Sequence, residues 1–185
     1  MPERNQLKLE LPWQYSPKSH ELPRNLSHWL LDPGSFMKRL RSQGAENPRV
    51  QLLRQIWQFP ALSEKRALGT MTRDYALIRE VLIYSEGKKW MYARTVFPRK
   101  TLTGKQQCLA RLKNRSLGSV LFNDPTIERG PFEMICLTQA MPFHQYVLEQ
   151  TRLSVDQLWA RRSRFVLHDK PLLLTEVFLP DVEKL

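Results

Sequence analysis

The sequence predicts an α+β fold, in which helices pack against an antiparallel sheet. Two pairs of β-rich runs, each joined by a short polar segment, predict one β-hairpin in the middle of the chain and another near its C-terminal end. Helical patterns with capping residues lie before and between these hairpins. At 185 residues the chain has the length of one domain. We therefore expect a single domain with an antiparallel sheet of four to six strands.

The first helical patterns lie in NLSHWLLDPGSFMKRLRSQG, residues 25–44. Ser27 is placed to cap a first helix, which ends at Pro33 and Gly34. Ser35 is placed to cap a second helix, which Gly44 closes. The next segment, residues 48–60, alternates as a strand bounded by prolines.

The central hairpin is predicted from DYALIREVLIYSEGKKWMYARTVFP, residues 74–98, with its turn at 85–88. The following segment, residues 101–122, is helical in pattern, with Thr103 as its cap and a break at RSLG, residues 115–118. Residues 123–157 are less regular: they predict a helix around Pro142 and, from the capping-box spacing of Ser154 and Gln157, a second short helix. The last hairpin then turns at HDKP, residues 168–171.

The chain carries 29 basic and 18 acidic residues, a net charge of +11. Such a charge attracts anions of any kind, so nucleic acid, an acidic membrane surface and a small polyanionic substrate all stay open. The clusters KRLR (38–41) and RRSR (161–164) could contact phosphates, although a solvated outer sheet face is the preferred interpretation of the second. Charge alone does not choose among these partners.

Several classes of function lack support in the sequence. The two cysteines, Cys108 and Cys136, and the four scattered histidines show no metal-ligand spacing, so no metal site is expected. No GxGxxG, P-loop or GxSxG motif occurs. The polar, proline-rich residues 1–25 predict a partly ordered arm rather than a secretion signal, and no apolar run is long enough for a transmembrane helix. We expect a cytoplasmic protein whose folded domain spans residues 26–185.

Three charged residues stand on otherwise apolar strand faces. Glu176 alternates with Leu172, Leu174 and Phe178 in the last predicted strand, and Arg79 and Arg94 occupy similar positions in the two strands of the central hairpin. A buried ion is costly unless it is paired. One interpretation is an internal salt bridge between Glu176 and one arginine. The other is an apolar cavity whose few polar groups bind a planar ligand with two carboxylates.

Four segments resemble the chorismate pyruvate-lyase (chorismate lyase) family of ubiquinone biosynthesis. They are LWARRSRFVLHDKPLLLTEVFLP (158–180), LIREVLIYSEGKKWMYARTVFPRKTLTG (77–104), LGSVLF (117–122) and WLLDPGSFMKRL (29–40). The resemblance implies an antiparallel sheet of about six strands with helical flaps over an internal site. It also implies a reaction without metal or organic cofactor, in which chorismate loses pyruvate to give 4-hydroxybenzoate.

The resemblance also implies roles for particular residues. Arg79 matches the arginine that binds the ring carboxylate, and Glu176 matches the glutamate at the oxygen end of the ring. Arg94 matches a second arginine, which would suit the carboxylate of the departing side arm. Leu117 falls on a backbone contact, and Phe36 with Met37 on a flap contact, also made by backbone, where the family has methionine. Whether Glu176 donates a proton or only orients the substrate stays open.

The resemblance also raises expectations about an insertion and about partners, and two alternative functions stay open beside it. Residues 123–157 hold roughly eighteen residues more than the family form, an insertion expected to be an extra helix packed on the core or a surface for a membrane or a partner enzyme. We expect a monomer that contacts a membrane prenyltransferase transiently and binds no nucleic acid. The alternatives are a non-catalytic domain of the same fold that binds aromatic carboxylates, and a nucleic-acid-binding module.

Overall fold

The structure, a computed structural model, describes residues 11–15, 22–70 and 74–185, and its centre is one antiparallel eight-stranded sheet. The strands are β1 (Gln14–Tyr15), β2 (Arg49–Gln58), β3 (Ala76–Ser85), β4 (Lys88–Pro98), β5 (Glu128–Arg129), β6 (Glu133–Thr138), β7 (Gln157–Leu167) and β8 (Lys170–Phe178). Their order in the sheet is β1-β6-β7-β8-β4-β3-β2, and β5 pairs with β7. The α+β fold is therefore confirmed. The boundary predicted between an arm, residues 1–25, and a domain, residues 26–185, stays a prediction, because much of the arm lies outside the described residues.

Five α-helices and three short 3₁₀ helices are present in the described part of the chain. The α-helices are α1 (Ser27–Leu30), α2 (Phe36–Ser42), α3 (Leu62–Leu68), α4 (Gly118–Leu121) and α5 (Pro142–Thr151). The 3₁₀ helices span Arg99–Leu102, Gly104–Arg111 and Pro180–Lys184. Ser35 caps α2 as predicted, since its Oγ accepts the backbone N–H of Lys38 at 3.4 Å. No helix among the described residues is long and apolar enough to cross a membrane.

The segment from Thr101 to Phe122 is helical and interrupted before α4, as predicted, but most of its helix is 3₁₀ rather than α. It forms 3₁₀ turns up to Arg111 and then the one-turn α4, and Thr103 makes no side-chain cap. The helix expected from the capping-box spacing of Ser154 and Gln157 is also wrong, because Gln157 already begins β7. That strand is bound on both sides by β6 and β8, so sheet pairing overrides a weak local signal.

Both predicted hairpins are confirmed. β3 and β4 are joined by Glu86 and Gly87, and β7 and β8 by His168 and Asp169. All four of these turn residues have positive φ, the backbone that a two-residue hairpin turn needs. The β7–β8 ladder runs without a register shift from Ala160 to Leu167.

A β-bulge interrupts the central hairpin near Trp90. Tyr84 pairs with Lys89, but the next pair is Ile83 with Met91, so one extra residue sits in β4. A one-residue shift moves every later side chain to the other face of the sheet. Beyond the bulge, Arg79 consequently lies opposite Thr95, and Arg94 lies opposite Glu80.

Helices cover both faces of the sheet. On the first face, called here the cavity face, Trp29 of α1 and Phe36 and Leu40 of α2 pack with Val81 and Phe178. Fully burying a side chain of this size contributes about 1.5–3 kcal/mol. α4 and the neighbouring 3₁₀ turns pack over the end of the same face.

On the other face, called here the opposite face, α3 and α5 supply the cover. Phe143 and Val147 of α5 pack with Leu82, Tyr92 and Val177. The helix predicted around Pro142 is thus confirmed, and it packs on the side of the sheet away from the cavity face. This placement matches the expectation of an extra helix on the core within residues 123–157.

Candidate active site

A partly open cavity lies between the cavity face and the segments around α2 and α4. Much of its wall is apolar and comes from Val50, Val81, Ile83, Met91, Phe122 and Leu174. An apolar wall interrupted by few polar groups is typical of a site for a small ligand. The polar groups that do reach the cavity therefore determine what it can bind.

The cavity brings together five of the six residues predicted for the site. Arg79 and Glu176 reach it from β3 and β8, Phe36 and Met37 from the start of α2, and Leu117 from the residue before α4. Four separate parts of the chain thus converge on one space. The face alternation in the sequence correctly placed Arg79 and Glu176 among apolar neighbours.

Arg79 is a buried cation without an ionic partner. Its side chain is 1% exposed, and its Nη2 donates to the backbone carbonyls of Lys113 at 2.9 Å and Arg115 at 2.8 Å. No carboxylate of the described residues forms an ion pair with it, and its Nε has no hydrogen-bond partner there. Burial lowers its pKa to about 10. An anion in the cavity would offset this cost.

The described residues donate hydrogen bonds to only one carboxylate oxygen of Glu176. Arg161 donates from Nε to Oε2 of Glu176 at 2.7 Å, and Arg129 donates from Nη2 to the same oxygen at 3.4 Å. Among the described residues none donates to Oε1, and Glu176 lines the cavity. Two guanidinium groups on one oxygen suit a carboxylate that accepts hydrogen bonds. The second oxygen is left for a ligand hydroxyl.

The sheet sets the separation between these two groups. Arg79 pairs with Thr95 and Glu176 with Ala93, so β4 lies between them and they are offset by two residues along it. With strands about 4.8 Å apart and a rise of about 3.4 Å per residue, their Cα atoms lie about 12 Å apart. Both side chains lie on the cavity face and line the cavity. A flat ring with an anionic end and a hydroxyl end fits this spacing.

The expectation that Arg94 belongs to the same site is wrong. The bulge at Trp90 turns Arg94 to the opposite face, where its Nε donates to Oε1 of Glu64 at 2.8 Å and its Nη1 to Oε1 of Glu80 at 2.5 Å. Burial lowers the pKa of Arg94, but the two carboxylates raise it by more. Arg94 is therefore fully paired and does not line the cavity.

Two arginines of the site escaped the sequence analysis. Arg161 was assigned to a solvated outer face, but it is 1% exposed and binds Glu176; Arg162 is buried as well, and its guanidinium binds both oxygens of Glu133. Arg129 was not singled out at all. A usable signal existed for Arg161: a two-residue turn at 168–169 places it directly opposite Glu176 in the last hairpin.

Comparisons with known proteins point to one family. The sequence profile described as chorismate lyase matches residues 8–184, a wider span than the segments that carry the resemblance. A protein described as "Probable chorismate pyruvate-lyase" from Thiobacillus denitrificans is 36% identical over 170 residues, 92% of this chain and 90% of the relative. One of the same description from Coxiella burnetii is 35% identical over 179 residues, 94% of each chain.

Solved structures show the same fold at much lower identity. PhnF from Mycobacterium smegmatis superposes with a TM-score of 0.55 at 13% identity, over 82% of this chain and 66% of that one. A GntR-family transcriptional regulator from Bacillus cereus gives a TM-score of 0.52 at 13% identity, over 74% and 94%. These likenesses concern the fold alone, whereas the profile and the relatives cover nearly the whole chain. This chain belongs to the chorismate lyase family.

Proposed function

We propose that the chain is a chorismate pyruvate-lyase, which converts chorismate to 4-hydroxybenzoate and pyruvate as the first step of ubiquinone synthesis. The observation that carries this proposal is Arg79, a buried cation without a carboxylate partner among the described residues, at one end of an apolar cavity. A buried charge without a partner is expensive. A ligand carboxylate would pair with it through two parallel hydrogen bonds.

The substrate ring is proposed to span the cavity from Arg79 to Glu176. Arg79 binds the ring carboxylate, with the backbone of Leu117 beside it. Glu176 accepts a hydrogen bond from the C4 hydroxyl through its free Oε1. The start of α2, with Phe36 and Met37, closes the cavity over the ring. Every one of these residues comes from a single chain.

The side-arm carboxylate needs donors other than Arg94, which faces away from the cavity. Ser35 and Ser116 line the cavity on either side of Gly118. A Cβ added at Gly118 would lie 3.4 Å from both serine hydroxyl oxygens. We assign the side-arm carboxylate to these two hydroxyl groups.

The reaction requires the protein to orient the side arm of the substrate more than to donate a proton. The bond between C3 and the ether oxygen breaks, the hydrogen leaves C4, and its bonding electrons complete the aromatic ring. The released enolpyruvate oxygen becomes the keto oxygen of pyruvate, and the hydrogen ends on its methyl carbon. Aromatisation supplies the driving force, so a dry cavity that holds the side arm in a reactive pose suffices. With two arginines on Oε2, Glu176 is assigned as an orienting acceptor.

The proposal is tested by incubating the purified protein with chorismate and following pyruvate and 4-hydroxybenzoate together. Arg79→Met should lower kcat/KM by at least about 10³-fold, since it removes the partner of a buried ligand charge. Arg164→Met, a change at an exposed position of β7, serves as the control and should keep full activity. Formation of neither product by the wild-type protein would refute the lyase proposal.

A second candidate function is a non-catalytic domain that binds aromatic carboxylates. The fold similarity to transcriptional regulators favours it, because those proteins share the sheet. Tight binding of 4-hydroxybenzoate without any turnover of chorismate would select it. Steeply salt-dependent binding to duplex DNA, again without turnover, would select a nucleic-acid-binding role instead.

We also propose that the protein works as a cytoplasmic monomer that delivers its product to a membrane prenyltransferase. The net charge of +11 and a surface groove lined by Trp57, Tyr75 and Arg99 support transient contact with an anionic membrane. Sedimentation at micromolar concentration should give one species near 21.9 kDa. Flotation with anionic vesicles, but not with neutral ones, checks the membrane contact.

A further inference from the structure

Arg161 links Glu176 to the segment that covers the cavity. Its Nη1 donates to the backbone carbonyls of Trp29 at 2.9 Å, Leu30 at 3.1 Å and Asp32 at 2.6 Å, while its Nε donates to Glu176. The last carbonyls of a helix lack partners within the helix. Here a buried side chain from β7 satisfies the carbonyls at the end of α1. One guanidinium group therefore holds both the carboxylate and the covering segment.

Arg129 makes a second link of the same kind. Its Nη1 donates to the backbone carbonyl of Pro33 at 2.8 Å, and its Nη2 donates to Oε2 of Glu176. The ring of Phe132 lies between the two arginines, 4.2 Å from the Cζ of Arg129 and 4.6 Å from that of Arg161. This cation–π packing keeps both guanidinium groups in place.

The linked carbonyls belong to the same short stretch as the cavity wall. Residues 29–37, called here the entrance segment, begin in α1 and end with Phe36 and Met37 at the start of α2. Only two residues separate Pro33 from Phe36. A displacement of the carbonyls at 29–33 would therefore move the wall of the cavity.

We propose that Arg161 and Arg129 are positioning residues that couple closure of the entrance segment to the carboxylate of Glu176. When both arginines bind Oε2, the entrance segment is held over the ligand and Oε1 is aimed at the ligand hydroxyl. Loss of either arginine loosens the wall and the carboxylate together. The inference rests on the proposed function for the identity of the ligand, but the coupling itself concerns the protein alone.

The first experiment compares Arg161→Gln with Arg162→Gln. The two arginines are adjacent in β7 and buried, and each donates from Nε to a glutamate, at 2.7 Å and 2.6 Å. Arg162 lies on the opposite face, so its loss should cost stability without touching the entrance segment. The dissociation constant of 4-hydroxybenzoate is measured by calorimetry, and amide hydrogen exchange is followed in peptides covering 29–37.

Arg161→Gln should weaken binding of 4-hydroxybenzoate at least about tenfold, equivalent to about 1.4 kcal/mol, and should speed exchange in the entrance segment by a similar factor. Arg162→Gln should change both by less than about threefold. Equal effects of the two variants would show a general loss of structure and would overturn the proposal. If Arg161→Gln does not fold, Arg129→Gln carries the same test with the same expected direction.

The second experiment tests the coupling through Glu176 itself. Glu176 makes no hydrogen bond to residues 29–37, since its partners among the described residues are Arg129 and Arg161. Glu176→Gln keeps the shape but removes the charge, so it should still speed exchange in the entrance segment without ligand present. Unchanged exchange would refute the coupling. Because no substrate is used, this result is independent of whether the protein turns over chorismate.

Discussion

The two faces of the sheet bury similar charges in neighbouring positions, but they pair them differently. On the opposite face Arg94 is bound by Glu64 and Glu80, and Arg162 is bound by Glu133. On the cavity face, among the described residues, Arg79 has hydrogen bonds to carbonyls but no carboxylate partner, and Oε1 of Glu176 accepts no hydrogen bond. Burial alone therefore does not distinguish a structural ion pair from a binding site. A buried charge that has no oppositely charged partner among the described residues indicates a binding site instead.

The closed network on the opposite face extends to a tyrosine. The hydroxyl of Tyr146 donates to Oε2 of Glu80 at 2.6 Å, so Glu80 uses one oxygen for Arg94 and the other for α5. Burial and this hydrogen bond raise the pKa of Tyr146. A network in which each charge has a partner fixes register and helix position, and it leaves no group for a ligand.

The largest effect is expected from Arg94→Met. This change leaves Glu64 and Glu80 buried without their cation, which typically costs about 3–5 kcal/mol of unfolding free energy. Urea denaturation followed by circular dichroism measures the loss. Arg164→Met, at an exposed position, should stay within about 0.5 kcal/mol of the wild-type protein. A loss below about 1 kcal/mol for Arg94→Met would show that the network is not structural.

A smaller loss is expected from Tyr146→Phe. The change removes the hydrogen bond to Glu80, which contributes about 1.5–3 kcal/mol, and the longer one that Arg54 donates from Nη1 at 3.4 Å. Tyr84→Phe is the matched control, because the Tyr84 hydroxyl has no hydrogen bond with the described residues and its side chain packs in the same cluster on the opposite face. Comparable losses from both variants would argue against a special role for the Tyr146 hydroxyl. Thermal melts at pH 7 are sufficient to see the difference.

Arg79→Met should change stability by less than about 1 kcal/mol, although it is the same substitution at an equally buried arginine. Removing the unpaired charge relieves a desolvation cost, while losing the two hydrogen bonds to the carbonyls of Lys113 and Arg115 opposes this gain. Parallel urea titrations with Arg94→Met give the comparison directly. A loss as large as that of Arg94→Met would mean that both faces use their arginines structurally.

The smallest effect is expected at the entrance segment, from Asp32→Asn. Partial burial raises the pKa of Asp32, but hydrogen bonds from Arg39 and the backbone N–H of Gly34 lower it by more, so its folded value lies below 3.8. The stabilisation is therefore present above the unfolded pKa and lost as pH falls through the folded one. We expect a loss below about 1 kcal/mol at pH 7. The difference from wild type should shrink as the pH falls below 4.

The two hairpins and the positions of Arg79 and Glu176 could be predicted from the sequence because they depend on local signals. Turn residues at 85–88 and 168–171 predict both hairpins, and strand alternation places Arg79 and Glu176 on apolar faces. The resemblance to the family then suggested a ligand, chorismate, that could bind both Arg79 and Glu176. These inferences need no knowledge of how distant strands align.

Arg94 was misplaced because its face depends on register. A regular two-residue hairpin would place Arg94 directly opposite Arg79, but the bulge at Trp90 shifts it to Glu80. Nothing in the local sequence marks that extra residue. Arg161 and Arg129 were missed for a related reason: their partners, Glu176 and the carbonyls at 29–33, are brought together only by tertiary packing.

The bulge at Trp90 also makes the protein unequally tolerant of changes in chain length. Adding or removing a residue at the Glu86–Gly87 turn would alter only the exposed tip of the hairpin. Adding one residue between Trp90 and Arg94, with the ladder otherwise unchanged, would move Arg94 by one position in β4 to lie opposite Arg79, and Glu64 and Glu80 would lose their cation. We therefore expect relatives that keep both the ion pairs of Arg94 and the cavity with Arg79 to vary in length at the hairpin tip. The number of residues between the bulge and Arg94 should stay constant.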